Sequence, residues 1–247
     1  MKIIFLGTNG WYDSSVGNTV STLIDTKEAY IILDAGFGIN KASNYLKENK
    51  PVYLFLTHFH IDHICGLHTL PKLPIKNILT IISHEGAKEL CDTFINHPYA
   101  TPLKDLKYTV KIQESKEGKN ILPIKFECLS LQHIDLSYGY RLYLENKVIV
   151  YCSDTKICNN DKIISKNADL LIHECGYNVA PLDDFWGHTD PEGAAQLAKD
   201  AKVKKLYLTH FGPNAFPSRA KRLQAQTRAR KFFKESFAAF DDQIIEI

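Results

Sequence analysis

Apolar residues along this chain alternate, run together or recur every three to four positions, and these patterns divide it into strands and helices. Lys2 to Leu6 reads as a strand ending at Gly7, and Thr8 to Asn18, rich in Gly, Ser and Asn, as a loop. Val20 to Asp25 and Ala29 to Asp34 flank a short polar turn, which predicts a hairpin. Ala42 to Lys50 predicts a helix stopped by Pro51, Val52 to Thr57 a buried strand and His63 to Leu70 a helical segment. Ile78 to Ser83 reads as a strand, Glu85 to Ile95 as a helix, and His97 to Lys107, with its prolines, as a surface loop. Tyr108 to Gln113, Ile124 to Leu131, Tyr138 to Leu144 and Val148 to Cys152 predict four strands with short polar turns. Ile163 to Leu171 passes from a short helix into a strand that ends at His173. Pro191 to Ala201 predicts a helix, with Thr189 and Glu192 fitting a Thr-x-x-Glu capping box and Pro191 in its first turn. Leu206 to Thr209 is a strand, Ser218 to Phe240 a long helix and Ile244 to Ile247 a last strand.

Nothing in this order marks a linker, so one domain over residues 1–247 is expected. Leu56-Thr57-His58-Phe59 recurs as Leu208-Thr209-His210-Phe211, each copy at a strand end. The echo is either a coincidence of four residues or the trace of two similar β-rich halves facing each other.

Composition changes this picture little. A chain of 247 residues buries roughly three quarters of its unfolded surface and needs no disulfide or structural metal to fold. A formal net charge of +2 gives no global field that demands nucleic acid. The six cysteines, at 65, 91, 128, 152, 158 and 175, form no C-x-x-C pair and read as reduced thiols. The first apolar run is too short for a signal peptide, and no stretch approaches the ~20 apolar residues of a membrane span. A cytoplasmic protein without a membrane partner is expected.

The chemistry concentrates in Thr57-His58-Phe59-His60-Ile61-Asp62-His63, an H-x-H-x-D-H run. His58 and His60 are two apart on an extended segment and point the same way, and Asp62 and His63 lie where the chain turns into a helical stretch. Imidazole and carboxylate in this density suit zinc and similar divalent ions. One loop cannot complete two metal sites, and three further candidates stand at predicted strand ends: His133, Asp154 and His210. A lone residue of that kind is more often a turn or cap residue, but three beside this motif point to ligands.

The motif, with His133, Asp154 and His210 in that order, resembles the metallo-β-lactamase superfamily over the whole chain. The resemblance implies an α/β fold, a four-layer αββα sandwich with the site at one edge between the sheets. It implies that His58, His60 and His133 hold one divalent ion, that Asp62, His63 and His210 hold a second, and that Asp154 bridges them. The ions would be zinc, with manganese or iron as alternatives. Asp34, in Leu33-Asp34-Ala35-Gly36, matches an aspartate beneath the site that orients ligands; as a bare sequence feature it is equally a turn residue. Two such ions polarise a substrate oxygen and lower the pKa of a shared water, so no Ser or Cys nucleophile is needed, and Asp62 is placed to take up the water proton. The oxygen-reducing di-iron branch carries Glu where this chain has His60, so the resemblance implies hydrolysis.

Leu171-Ile172-His173-Glu174 and Gly187-His188-Thr189 resemble the ribonuclease Z and phosphodiesterase branch. There His188 would donate a proton to the leaving oxygen, with Glu174 orienting it. The free amides of the following helix start attract an anion such as phosphate. Tyr177, Phe185 and Trp186 either stack on a base or pack their own loop, and Trp186 is taken as a substrate contact. Gly139-Tyr140-Arg141 resembles a G-Y-R element of the branch, which makes Arg141 a second substrate contact unless it only alternates outward on a strand. The basic run from Pro217 to Phe237 reads as a solvated helix face, with an RNA backbone contact as the less favoured reading.

Ribonuclease Z carries a tRNA-binding arm between its third metal histidine and the bridging aspartate. Here twenty residues separate His133 from Asp154, two predicted strands fill them, and no arm fits. The expected substrate is therefore a small or cyclic phosphodiester, or a nucleotide. RNA processing, or hydrolysis of a thioester or lactam on the same fold, stand as alternatives. A homodimer is implied by resemblance only.

Overall fold

A computed structural model describes residues 1–121 and 123–247. Two seven-stranded sheets face each other. The first has the order β14-β1-β2-β3-β4-β5-β6, from Gln243–Glu246, Lys2–Gly7, Ser21–Asp25, Tyr30–Leu33, Val52–Phe55, Ile78–Ser83 and Thr109–Glu114. The second has the order β13-β12-β11-β10-β9-β8-β7, from Ser236–Ala238, Leu206–Thr209, Leu170–Glu174, Lys147–Cys152, Tyr138–Leu144, Phe126–Ser130 and Gly118–Asn120.

Alternation along the strands separates the layers, as a side-chain period of two requires. In β1, Ile3 and Phe5 face the second sheet, while Ile4 and Leu6 face the outer layer. Between the sheets, Phe55 meets Phe126 and Tyr140 edge to face at 5.1 and 5.0 Å. Outside the first sheet lie tight helical turns at Phe37–Asn44 and Cys65–Lys72 and helix α2 (Ala87–Phe94), with α1 (Ile61–Ile64) between the two turns. Outside the second lie α3 (Asn159–Ser165), α4 (Pro191–Asp200) and α5 (Arg219–Ala229). The order of layers is αββα, as expected.

Strands β3 to β6 run parallel in one sheet and β10 to β13 run parallel in the other. Their carboxyl ends, with that of β8, meet at one edge of the sandwich. The repeated Leu-Thr-His-Phe therefore stands in corresponding places, after β4 in one half and across the end of β12 in the other. Bonds from the second sheet to the first fix the junction. Tyr140 donates its hydroxyl to Leu56 O at 2.8 Å, and the Tyr138 amide donates to Thr57 O at 3.0 Å.

Several sequence expectations need correction. The helix expected over Ala42 to Lys50 starts earlier and is the 3₁₀ turn Phe37–Asn44, wound tightly enough to bury Ile39 and Ala42 against the sheet. The long helix expected to Phe240 stops at Ala229, because Ser236–Ala238 pairs with β12 as an edge strand. The cap of α4 is Asp190, whose carboxylate accepts the Gly193 amide at 2.8 Å. Thr189 instead donates to Thr155 O, and Glu192 pairs with Arg228. Strand β7 carried no sequence signal. The basic run at α5 is used within the fold in part: Arg222 is fully buried, Arg228 grips Glu192, and Arg219 lies over the Phe240 ring, while Lys221, Lys231 and Lys234 are exposed as expected. All six cysteines are free thiols. Among the described residues, no helix is long and apolar enough to cross a membrane.

Candidate metal centre

Each sequence-derived ligand arrives at the shared edge from its own element. His58 and His60 follow β4, Asp62 and His63 lie in α1, His133 follows β8, Asp154 follows β10 and His210 follows β12. Two groups form, His58, His60, His133 and Asp154 in one and Asp62, His63 and His210 in the other, and a third, Asp154, His188 and His210, overlaps both sides; within each, the ligand atoms lie within 4.8 Å of one another. Asp154 stands between the first two. Its Oδ1 is 3.1 Å from His63 Nε2 and 3.1 Å from His210 Nε2, while its Oδ2 faces His58 Nε2 at 3.8 Å.

Backbone conformation sets this up. Asp34 and His210 adopt positive φ (57° and 50°), which Asp and His tolerate better than most residues. A Cβ on Gly10 would stand 2.4 Å from the His210 ring, so only glycine lets that ring lie against the backbone there. The buried Asp34 carboxylate lies 2.9 Å from His63 Nδ1 and accepts hydrogen bonds from the Thr57 amide and hydroxyl and from the Tyr151 hydroxyl. It thus fixes the His63 ring and turns Nε2 toward Asp154. Asp135 does the same for His60, lying 2.8 Å from its Nε2 and leaving Nδ1 toward His133 Nε2 at 3.3 Å.

These residues fit cations. His63 Nδ1 faces Asp34, and its Nε2 stands 3.1 Å from both His210 Nε2 and Asp154 Oδ1; burial lowers the His63 pKa, but the carboxylates of Asp154, Asp62 and Asp34 outweigh it and raise it well above the ordinary range, so positive charge is favoured at this point. His58 Nε2 is buried with no hydrogen-bond partner. Buried polar atoms are normally paired, so an unpartnered nitrogen among crowded imidazoles and buried carboxylates has the chemistry of a cation site. The electrostatics agree. Burial, and then the neighbouring His63, push His58 well below the ordinary imidazole range, to the neutral ligand form. Burial opposes ionisation of Asp154, but the imidazoles of His210 and His63 hold its carboxyl well below the usual range.

Beside this centre, Glu174 closes β11 and His188 stands just before α4. His188 Nδ1 lies 3.0 Å from Glu174 Oε1 and 3.9 Å from Asp154 Oδ2. Burial lowers the His188 pKa, but the Glu174 carboxylate and hydrogen bond outweigh it and raise the value to about 9. His173, read from sequence as part of the same element, points away: its ring is buried against Asp161 at 3.1 Å.

A family model described as Beta-lactamase superfamily domain matches residues 29–211, which takes in every candidate ligand. The chain belongs to the beta-lactamase superfamily. Ribonuclease Z of Methanosarcina mazei is 26% identical over 274 residues, covering 85% of this chain and 87% of that protein. Two solved structures share the fold. The metallo-beta-lactamase fold protein YhfI from Bacillus subtilis superposes with a TM-score of 0.76 at 22% identity over 99% of both chains. The short form of human tRNase Z gives 0.75 at 21% identity, over 100% of this chain and 99% of that one. As a superfamily member with this His and Asp cluster, the protein is a metal-dependent hydrolase.

Two expected substrate contacts fare differently. Arg141 does not reach the superfamily site. It lies on the outer face of β9 and donates to Ile164 O and Lys166 O, both at 2.8 Å, at the carbonyl end of α3. Trp186 does stand beside the site, and its carbonyl accepts the amide of Ile134, the residue after His133. Sequence reasoning missed Asp135, Tyr151 and Asp184. Asp184 accepts the His188 and Trp186 amides at 2.7 and 3.2 Å and the Tyr177 hydroxyl at 2.8 Å. Only the placement of Asp135 two residues after His133 offered a signal.

Proposed function

We propose that the protein hydrolyses a small phosphodiester, cyclic or nucleotide-like, with zinc as its metal and manganese or iron as alternatives. The reading is carried by the His188–Glu174 pair, a half-buried imidazole with a raised pKa, 3.9 Å from the Asp154 carboxylate that stands between the two ligand groups. Two divalent ions, when bound, neutralise charge on a phosphoryl group and activate water. His58, His60 and His133 would hold one ion, Asp62, His63 and His210 the other, with Asp154 shared. The chain's own residues then do the rest. His188 gives a proton to the departing alkoxide, a leaving group too basic to depart unaided. Glu174 keeps the ring turned and charged. Asp62, tied to the Trp11 amide at 2.6 Å, is the carboxylate placed to receive a proton from water.

A small substrate is supported at the place where a ribonuclease Z arm would be inserted. There β9 and β10 join through Glu145 and Asn146 alone, both at positive φ (47° and 63°), the backbone of a two-residue hairpin turn. The match to the Methanosarcina mazei protein spans 274 aligned positions, more than this chain's 247 residues, so that relative has segments missing here. That same likeness favours a second reading, cleavage of RNA by a ribonuclease Z-type reaction. One panel of bis(p-nitrophenyl) phosphate, a 2′,3′-cyclic nucleotide, a precursor tRNA and a thioester separates these. Turnover of the small diesters is expected. Turnover of precursor tRNA alone moves the assignment to the second reading, and of the thioester alone rejects both. A cytoplasmic location and a homodimer complete the reading.

A further inference from the structure

The chain has two tryptophans, and each has an exposed ring on a backbone that bonds beside this site. Trp11 is 70% exposed and Trp186 53% exposed, although large rings elsewhere, such as Tyr140 and Phe126, are fully buried. Each is anchored to a different ligand group. The Trp11 amide donates to Asp62 of the second group at 2.6 Å. Trp186 accepts from Ile134 beside His133 of the first group, and the next carbonyl, Gly187 O, lies 3.4 Å from His133 Nδ1.

Each tryptophan also sits edge-on to an exposed aromatic neighbour. Trp11 meets Tyr12 at 5.1 Å and 71°, and Trp186 meets Phe185 at 5.9 Å and 83°. Neither pair is a loose loop tip. The Tyr12 hydroxyl donates to Asn214, and the Trp186 amide to Asp184. Trp11 holds φ at 63°, an unfavourable conformation for a bulky residue, of the kind that gathers at functional sites. The two tethered aromatic pairs are thus anchored through their backbones one to each ligand group of a centre suited to an anion. The complementary molecule is an anion with a flat apolar face, because indole stacks on such faces with little regard to ring identity.

We infer that the substrate carries a flat aromatic group of the nucleobase kind, and that Trp11 and Trp186 are the surfaces on which it stacks. The inference rests on the phosphodiesterase reading above and adds to it the class of group attached to the phosphorus.

With only two indoles, tryptophan emission reports on these two rings. Adenosine 5′-monophosphate should quench the metal-loaded protein, and ribose 5-phosphate should not. The matching kinetic test compares 2′,3′-cyclic AMP with glycerol 1,2-cyclic phosphate, a cyclic diester without a ring system. In W11A and in W186A the ratio of kcat/KM for the first over the second should fall about tenfold, with much of it restored in W11F and W186F. An unchanged ratio in both alanine variants, with no quenching by adenosine 5′-monophosphate, would remove the stacking role while leaving the phosphodiesterase reading intact. Hydrolysis of neither diester would remove the reading on which it rests. Emission that follows protein concentration and ignores the nucleotide would assign the rings to contact between copies of the chain and overturn the proposal.

Discussion

His188 Nδ1 and Glu174 Oε1 lie 3.0 Å apart, and that same oxygen accepts the amides of Thr155 and Thr189, both at 3.1 Å. The second oxygen of Glu174 accepts the Gly176 amide at 2.6 Å. These donors fix the fully buried Glu174 side chain in place beside the imidazole, whose pKa it raises.

A group with a raised pKa carries its proton below that value and loses it above. With His188 near pH 9, turnover of an alkyl phosphodiester should hold through neutrality and fall as pH climbs past about 9. In Glu174→Gln the anion that raises the pKa is gone, so the falling limb should move to lower pH. In His188→Ala, turnover should drop about 100-fold or more while metal content stays at the wild-type ratio. A pH–rate series with metal analysis reads both, and an unchanged His188→Ala rate would remove the proton-donor assignment.

Asp34 touches no cation site directly; it holds His63. Asp34→Asn keeps the shape but loses the charge that fixes the His63 tautomer. Metal affinity of the Asp62, His63 and His210 group should weaken about 10- to 100-fold. Isothermal titration of the stripped protein should show one tight and one weakened site, and two sites of wild-type affinity would contradict the role.

Gly10→Ala tests packing under His210. The added methyl would stand 2.4 to 2.7 Å from ring atoms, so the ring must move. Overpacking of this kind costs about 1–3 kcal/mol, and occupancy of the same ion should fall with it. Denaturant unfolding and metal content together check the expectation.

Chelation should destabilise the protein. An ion present at about 100 times its Kd stabilises the folded state by about 2.7 kcal/mol, which for a chain of this size corresponds to a Tm change of about 5–10 °C. Calorimetry before and after dialysis against a chelator, with zinc added back, gives the value. An unchanged Tm would argue that the groups do not bind ions.

How much of this was legible in the chain depended on range. Strands such as Ile78–Ser83, Tyr138–Leu144 and Leu206–Thr209 follow from local patterning, and their bounds match the structure. The ligands were legible because H-x-H-x-D-H is compact and the others sit at strand ends. What failed was what packing decides. Ser236–Ala238 pairs as a strand because the edge of β12 is open to it, and helical periodicity records nothing of that edge. Arg141 looked like a substrate contact from its motif, but strand alternation puts it on the outer face, where the carbonyls of α3 take it. Tyr151 supports Asp34 across 117 positions of chain, a separation no local reading spans.

Each of the first two groups of ligands draws on both sheets: His58 and His60 join His133, and Asp62 and His63 join His210. During synthesis, then, neither nest is whole until residue 154 or 210 has left the ribosome and the later strands have docked. Ions captured there act as rivets through the seam, linking the amino-terminal and carboxyl-terminal halves. A chain cut between the halves should reassociate more tightly in metal than in chelator.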